Sequence, residues 1–99
     1  MDFEGFDWDD GNREKCRKHG MSLRGVESVF TRARIWLDVD HSGDEARYRA
    51  IGLTRRKKWG FVVFTFRPQP DGRILIRPIS ARYMHKKEIA RYEQTHSDF

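Results

Sequence analysis

Residues 61–80 read FVVFTFRPQPDGRILIRPIS. The first six, Phe61–Phe66, are apolar at nearly every position, as expected of a strand buried on both faces in the middle of a sheet. PQPDG follows, with Pro68, Pro70 and Gly72 as turn residues. RILIRPIS, residues 73–80, then predicts a partner strand, and the short loop between the two makes them antiparallel. In this partner Arg73, Leu75, Arg77 and Ile79 alternate with Ile74, Ile76, Pro78 and Ser80, which predicts two opposite faces. Pro78 has no N–H for a ladder, so the strand is expected to lie at an edge or to bulge near its end.

Working outward, RRKKWG (residues 55–60) reads as a turn and ARYRAIGLT (Ala46–Thr54) as a strand with Arg47, Arg49, Ile51 and Leu53 on one face. DHSGD (residues 40–44) is a second turn, and RIWLDV, residues 34–39, a first strand. Upstream, Asp9 or Asp10 can cap a helix over Gly11–Lys18 that ends at Gly20 in the left-handed conformation. Ser22 caps a second helix whose Leu23, Val26, Val29 and Phe30 form a buried stripe. Downstream, a last helix begins near His85, with Glu88 at capping-box spacing and Ile89 and Tyr92 facing the core. The expected fold is one α+β domain over residues 1–99: two N-terminal helices, a four-stranded antiparallel sheet and a C-terminal helix. The first few residues and Gln94–Phe99 are expected to fray.

Lys and Arg number 20 against 15 Asp and Glu, for a formal charge of +5. The pI is about 9.7 and the mean hydropathy −0.84. Thirteen aromatic residues argue for a folded chain despite that polarity. The basic balance favours a polyanionic partner. Residues 1–10 carry five acids and no base, a head that can shield part of a basic surface. Cys16 is the single cysteine, so no internal disulfide forms; its neighbours Lys15, Arg17 and Lys18 are expected to lower its pKa, and it reads as a half-buried helix residue. With no membrane-length apolar run and no secretory signal, a reducing cytoplasm is expected.

The cations recur at strand spacing: Arg47 and Arg49 on one strand, Arg73 and Arg77 on another, with Arg82 just past it. Guanidinium forks suit a phosphodiester, and Tyr48, Trp59 and Tyr83 are near enough in sequence to stack on bases. The plainer reading is a solvated sheet face, with Tyr48 and Trp59 as packing residues. The four histidines show no HExxH or paired-cysteine pattern for zinc. The acids of DVDHSGDE, residues 38–45, miss EF-hand spacing and read as a turn. No Gly-rich phosphate loop or GxSxG is present.

WDDGNREKCRKHGMSLRGVESVF, DHSGDEARYRAIG and IRPISARYMHKKEIARYE, in that order, resemble the BrnT toxins of bacterial type II toxin–antitoxin systems, over residues 6–93. The shared marks are an early Trp-Asp, the KHG helix end, a Ser-led second helix, E-x-R-x-x-x-x-G, and ISAR leading to a Glu and a Tyr. The resemblance implies a RelE-like fold and a ribonuclease that uses no metal or cofactor. It implies a BrnA-type antitoxin, a heterotetramer with it, and operator DNA bound through the antitoxin. Glu45, Arg47, Gly52, Arg77, Ser80, Arg82, Glu88 and Tyr92 fall on the family's motifs, Gly52 as a backbone requirement and Tyr92 as packing. Arg49 departs from the usual apolar residue. His85 stands where many relatives carry a capping Thr, so it is either a gained catalytic group or a weak cap.

Metal-free cleavage requires the 2′-OH to lose a proton, the phosphorane charge to be stabilised and the 5′-oxygen to be protonated. Arg77 and Arg82 are the expected phosphate holders; Glu45, His85 and Lys86 are alternatives for the base. Arg47, Arg49, Arg73, Ser80, Tyr83 and Lys86 are the expected RNA contacts. Strand, turn and helix start are expected to bring Arg77, then Ser80 and Arg82, then His85 and Lys86 near one point. The alternative is a non-catalytic module that binds nucleic acid or the antitoxin in operon control, or an interaction domain for an acidic partner.

Overall fold

A computed structural model describes residues 3–31, 35–40 and 46–95, with the backbone alone for 35–40 and 95. The elements are α1 (Asp10–Arg17), α2 (Leu23–Thr31), β1 (Ile35–Asp40), β2 (Arg47–Leu53), β3 (Trp59–Pro68), β4 (Ile74–Tyr83) and α3 (Lys86–Thr95). Three helices and an antiparallel sheet make this an α+β fold. The strand order is β1-β2-β3-β4, each strand antiparallel to its neighbours in sequence; residues 41–45, where a turn is expected, lie outside the described residues. Glu45 lies outside the described residues.

Local chemistry accounts for the helix ends. Asp9 is the cap of α1: its carboxylate accepts the Asn12 N–H at 3.0 Å while the Asn12 side chain accepts the Asp9 N–H at 2.7 Å. This reciprocal pair satisfies two donors that the first turn otherwise leaves open. Gly20, at φ 88°, closes the segment as expected. The Ser22 hydroxyl accepts the Gly25 N–H at 3.0 Å and caps α2.

β3 is apolar on both sides, and each side has its own cover. Val62 and Phe64 point to the face packed by Cys16 of α1 and by Val26, Val29 and Phe30 of α2, together with Ala50, Ile76 and Ala81. Phe61 points to the other face, where Ile51, Trp59 and Met84 meet Ile89 and Tyr92 of α3. Cys16 is fully buried, and its thiol is pushed up to about 11 by that burial, which outweighs the nearby Lys15. The expectation of a half-buried thiol with a lowered pKa is therefore corrected.

β4 departs from strict alternation. Phe64 lies opposite Pro78 but Val63 lies opposite Ser80, so Ile79 is the extra residue of a β-bulge. The bulge falls beside the proline that cannot join the ladder. Beyond it the phase inverts. Ser80 and Arg82 come round to the side of Arg77, whereas regular alternation places Ser80 with Ile76. β4 also runs on to Tyr83, so Ser80 and Arg82 are strand residues and not part of a turn.

Residues 4–7 are docked, contrary to the fraying expected there, while residues 1–2 and 96–99 lie outside the described residues. Glu4 and Asp7 donate their N–H groups to the Ile74 and Ile76 carbonyls at 2.9 and 2.8 Å, and Ile76 donates to Gly5 at 3.0 Å. Phe6 forms a parallel bridge with Ile76. Phe3 and Phe6 pack edge-on against Phe30, which Phe64 meets from below. Open backbone acceptors and a donor on the β4 edge, with these rings, hold the segment in place. Gln94 likewise belongs to α3.

Gly52 and Gly60 are buried register partners beneath α2. A Cβ on Gly60 would stand 3.0 Å from both Thr54 Cγ2 and Val29 Cγ2, so α2 rests on bare backbone there. Gly60→Ala is expected to lower the unfolding free energy by about 1–3 kcal/mol. Urea denaturation measures this, and an unchanged midpoint would contradict the close approach.

Candidate functional site

The bulge assembles one cationic face. On the α3 side of the sheet, Arg82 lies opposite Phe61, which lies opposite Ile51; Ser80 lies opposite Val63, which lies opposite Arg49. Arg77 lies opposite Thr65, and Arg47, two residues before Arg49, shares its side. Arg47, Arg49, Arg77, Ser80 and Arg82 are thus on one face, of which α3 covers only one end. Their positions on β3, Thr65 and Phe61, place Arg77 and Arg82 about 13 Å apart along the strand. The expected single point is therefore two groups on a common surface.

The first group is built on Arg82. Its Nη1 and Nη2 donate to the two carboxylate oxygens of Glu88, each at 2.8 Å. Its guanidinium carbon is 4.6 Å from the centroid of the Phe61 ring, which supports it from the sheet side. Glu88 also accepts the His85 N–H at 3.1 Å, so the predicted capping spacing is used and His85 directly precedes α3. The Arg82 fork, and then the His85 N–H, hold the Glu88 carboxyl at about 2. Glu88 in turn raises the pKa of Arg82. A carboxylate held this low stays ionised and is a poor base. His85 and Lys86 are exposed beside it.

The second group is built on Arg77. Its Nη2 donates to Asp9 at 2.7 Å and its Nη1 to Asp7 at 3.4 Å. Asp9, the nearer partner, is the main cause of its raised pKa. Asp9 itself is lowered by the Asn12 N–H first and by Arg77 second. The acidic head does shield basic surface, and Arg77 is where it does so. Arg77 also lines an open cleft of about 360 Å³ with Gly11, Asn12, Lys15, Arg47, Arg67 and Ile79. Lys15 and Arg67 are site residues that sequence reasoning missed. Arg67 carried a signal, since it continues the alternation of Val63 and Thr65; Lys15 carried none, because only the packing of α1 beside β4 brings it there.

The remaining candidates are placed differently. Tyr83 lies on the opposite, helix-packed side, where it meets the core and carries Lys58 Nζ 5.5 Å from its ring centroid. Arg73 is exposed next to the β3–β4 loop and pairs with Asp71 at 2.8 Å. Tyr48 packs on Phe64 and Phe66, and Trp59 joins the α3 cluster, so both are packing residues. Among the described residues no three His, Cys, Asp or Glu side chains gather as a metal-ligand set, and no helix is long and apolar enough to cross a membrane.

A small α+β domain that turns a half-covered, arginine-bearing sheet face to solvent has the form of a protein that handles a polyanion. Residues 8–88 match the family described as the ribonuclease toxin, BrnT, of type II toxin–antitoxin systems, and the chain belongs to that family. No curated protein matches the chain. The matched span opens at Trp8, whose indole N–H donates to Glu27 of α2 at 2.9 Å, and closes at Glu88, the partner of Arg82.

The low value of Glu88 fixes the sign of a pH effect. A carboxylate with an ordinary value of 4.5 that is lowered to about 2 on folding stabilises fully above 4.5. That contribution is lost as the pH falls through about 2. Glu88→Gln is expected to lower the melting temperature at neutral pH and to flatten its decline on acidification. Melting curves from neutral pH down to about 2 test this; parallel declines in the two proteins would contradict it.

Proposed function

We propose that this chain is an endoribonuclease that cleaves RNA without metal or cofactor, and so inhibits translation and growth in the cytoplasm. The ribose 2′-oxygen attacks the adjacent phosphorus, the 2′ proton leaves to a base, and the bond to the 5′-oxygen breaks as that oxygen is protonated. The products are a 2′,3′-cyclic phosphate and a 5′-hydroxyl. The observation that carries this reading is the common, solvent-facing side shared by Arg77, Ser80 and Arg82.

Arg82 is assigned to the scissile phosphate. Its fork is fixed by Glu88 and Phe61, and a guanidinium has more N–H donors than the two that Glu88 takes. A cation already fixed in place needs no reorganisation when charge develops on the phosphorane. His85, exposed at the start of α3, is the proton-exchanging group next to it, with Lys86 and Glu45 as the other candidates for the base. Glu88 is excluded from that role by its low pKa. Arg77, with Arg47 and the cleft cations, holds a neighbouring phosphate; Ser80 and Arg49 lie between the two groups as further contacts, and Arg73 and Tyr83 are peripheral ones.

A type II system implies an antitoxin partner. We read it as BrnA-type, joined with this chain in a heterotetramer that reaches operator DNA through the antitoxin, and we read the architecture as RelE-like. A second reading, a non-catalytic module for operon control, is favoured by one observation: both central guanidiniums are already paired with carboxylates of the same chain.

Purified protein free of antitoxin, incubated with RNA and a chelator, is expected to leave 2′,3′-cyclic phosphate ends. Arg82→Ala is expected to reduce turnover by about 10²–10³-fold. Arg77→Ala is expected to act mainly on KM, since its group is remote from Arg82. Circular dichroism confirms that each variant is folded. Intact RNA after incubation with folded wild-type protein would select the non-catalytic reading.

A further inference from the structure

The β2–β3 connection carries Arg55, Arg56, Lys57 and Lys58, all exposed. It is held in one shape. The Thr54 N–H and hydroxyl both donate to the Lys58 carbonyl, at 2.8 and 2.7 Å, and the Lys57 N–H donates back to Thr54 at 2.9 Å. Thr54 is fully buried. Lys57 has φ 61°, a left-handed conformation that a residue with a side chain enters only where its surroundings impose it. The Arg55 N–H donates to the hydroxyl of Ser28, a buried residue of α2, at 3.3 Å, which ties the turn to that helix. Between the turn and the start of α2 opens a cleft of about 490 Å³, lined by Gly20, Ser22, Arg24, Gly25, Arg55 and Arg56.

These cations differ from those of the sheet face. Arg77 and Arg82 are paired with carboxylates of the chain, whereas among the described residues Arg24, Arg55, Arg56 and Lys57 form no ion pair. Like charges gathered around one cleft without a counter-charge repel one another, and an incoming polyanion relieves that repulsion without displacing any carboxylate. The turn that lines the cleft also lies next to the site already described. The Met84 N–H donates to the Trp59 carbonyl at 2.9 Å, so the turn abuts the junction that presents Arg82, His85 and Lys86. Lys58, over Tyr83, stands between the two.

We propose that this cleft is a second RNA-backbone site, in which Arg24, Arg55 and Arg56 grip phosphates of the strand being cut, away from the scissile link. It rests on the reading of RNA as the ligand. The strand runs from the Arg82 group past Lys58 and round the end of the sheet to α2. Three guanidinium forks lining one open cleft match the bidentate recognition of successive phosphates.

The test is anisotropy of labelled single-stranded RNA on antitoxin-free protein over a range of salt. It compares a trinucleotide with an oligonucleotide of about ten nucleotides, within the usual span of such sites. The double variant Arg24→Ala, Arg56→Ala is expected to bind the longer RNA about tenfold more weakly, with a log–log salt slope shallower by about 1.4, the value for two lost contacts. The trinucleotide is expected to bind as to wild type, and the Arg24→Lys, Arg56→Lys protein is expected to recover the slope. Unchanged affinity and slope for the longer RNA would overturn the proposal, even in a protein that cleaves RNA. Loss of antitoxin binding with RNA affinity intact would also overturn it, by making the cleft a protein interface. Wild-type protein that shows the cleft-dependent slope but cleaves nothing would refute the nuclease reading and leave this site standing.

Discussion

The hydrogen bond from the Asn12 side-chain amide to the Pro78 carbonyl, 2.8 Å long and buried, joins the three parts on which the site depends. The same amide donates to the Asp7 carbonyl at 2.9 Å, and its oxygen caps α1 through the Asp9 N–H. One side chain therefore fixes the N-terminal segment, the start of α1 and the bulged stretch of β4. Left without a donor, the buried Pro78 carbonyl would cost about 1–3 kcal/mol. From this junction the consequences run outward. Asp7 and Asp9 are set against Arg77, and the bulge turns Ser80 and Arg82 to the same side as Arg77. Strict alternation would send Arg82 under the helices instead.

The charges on that face follow a common arrangement. Each central guanidinium is held by carboxylates and remains partly exposed, the Arg77 side chain at 21% and that of Arg82 at 38%. Neither guanidinium is closed off from water, so under the proposed function a phosphate can compete for them. The use of these ion pairs is geometric, because they hold flexible side chains in position before an anion arrives. The turn beside α2 differs: its backbone is held by hydrogen bonds, and among the described residues Arg55, Arg56 and Lys57 form no ion pair. Under the proposed function, the two arrangements together suit a chain of phosphates more than a single one.

Much of this fold was legible because its causes are local. The run FVVFTF, the loop PQPDG and the caps at Asp9, Ser22 and Glu88 each announce themselves within a few residues. Pro78 announced a bulge or an edge, but which residue would be extra depends on the partner strand, and one extra residue reverses every side chain beyond it. MDFEGFD reads as a loose acidic tail; its Glu4–Asp7 stretch docks because β4 has an open edge and Phe30 needs cover. Glu88 was visible as a cap, while its grip on Arg82 depends on a strand and a helix meeting at an angle that no spacing encodes. Lys15 and Arg67 joined the cleft for the same reason. Cys16 shows the converse, since its basic neighbours in sequence count for less than the core that surrounds it.

The face on which Arg77, Ser80 and Arg82 gather exists only if β4 is bulged at Ile79, and cross-strand nuclear Overhauser contacts in solution read that register directly. The account predicts contacts of Ser80 with Val63 and of the Arg82 side chain with the Phe61 ring, with Pro78 opposite Phe64. Contacts of Ile79 with Val63 and of Arg82 with Gly60 would show a regular ladder, place Arg82 on the other side of the sheet from Arg77, and contradict the site as described.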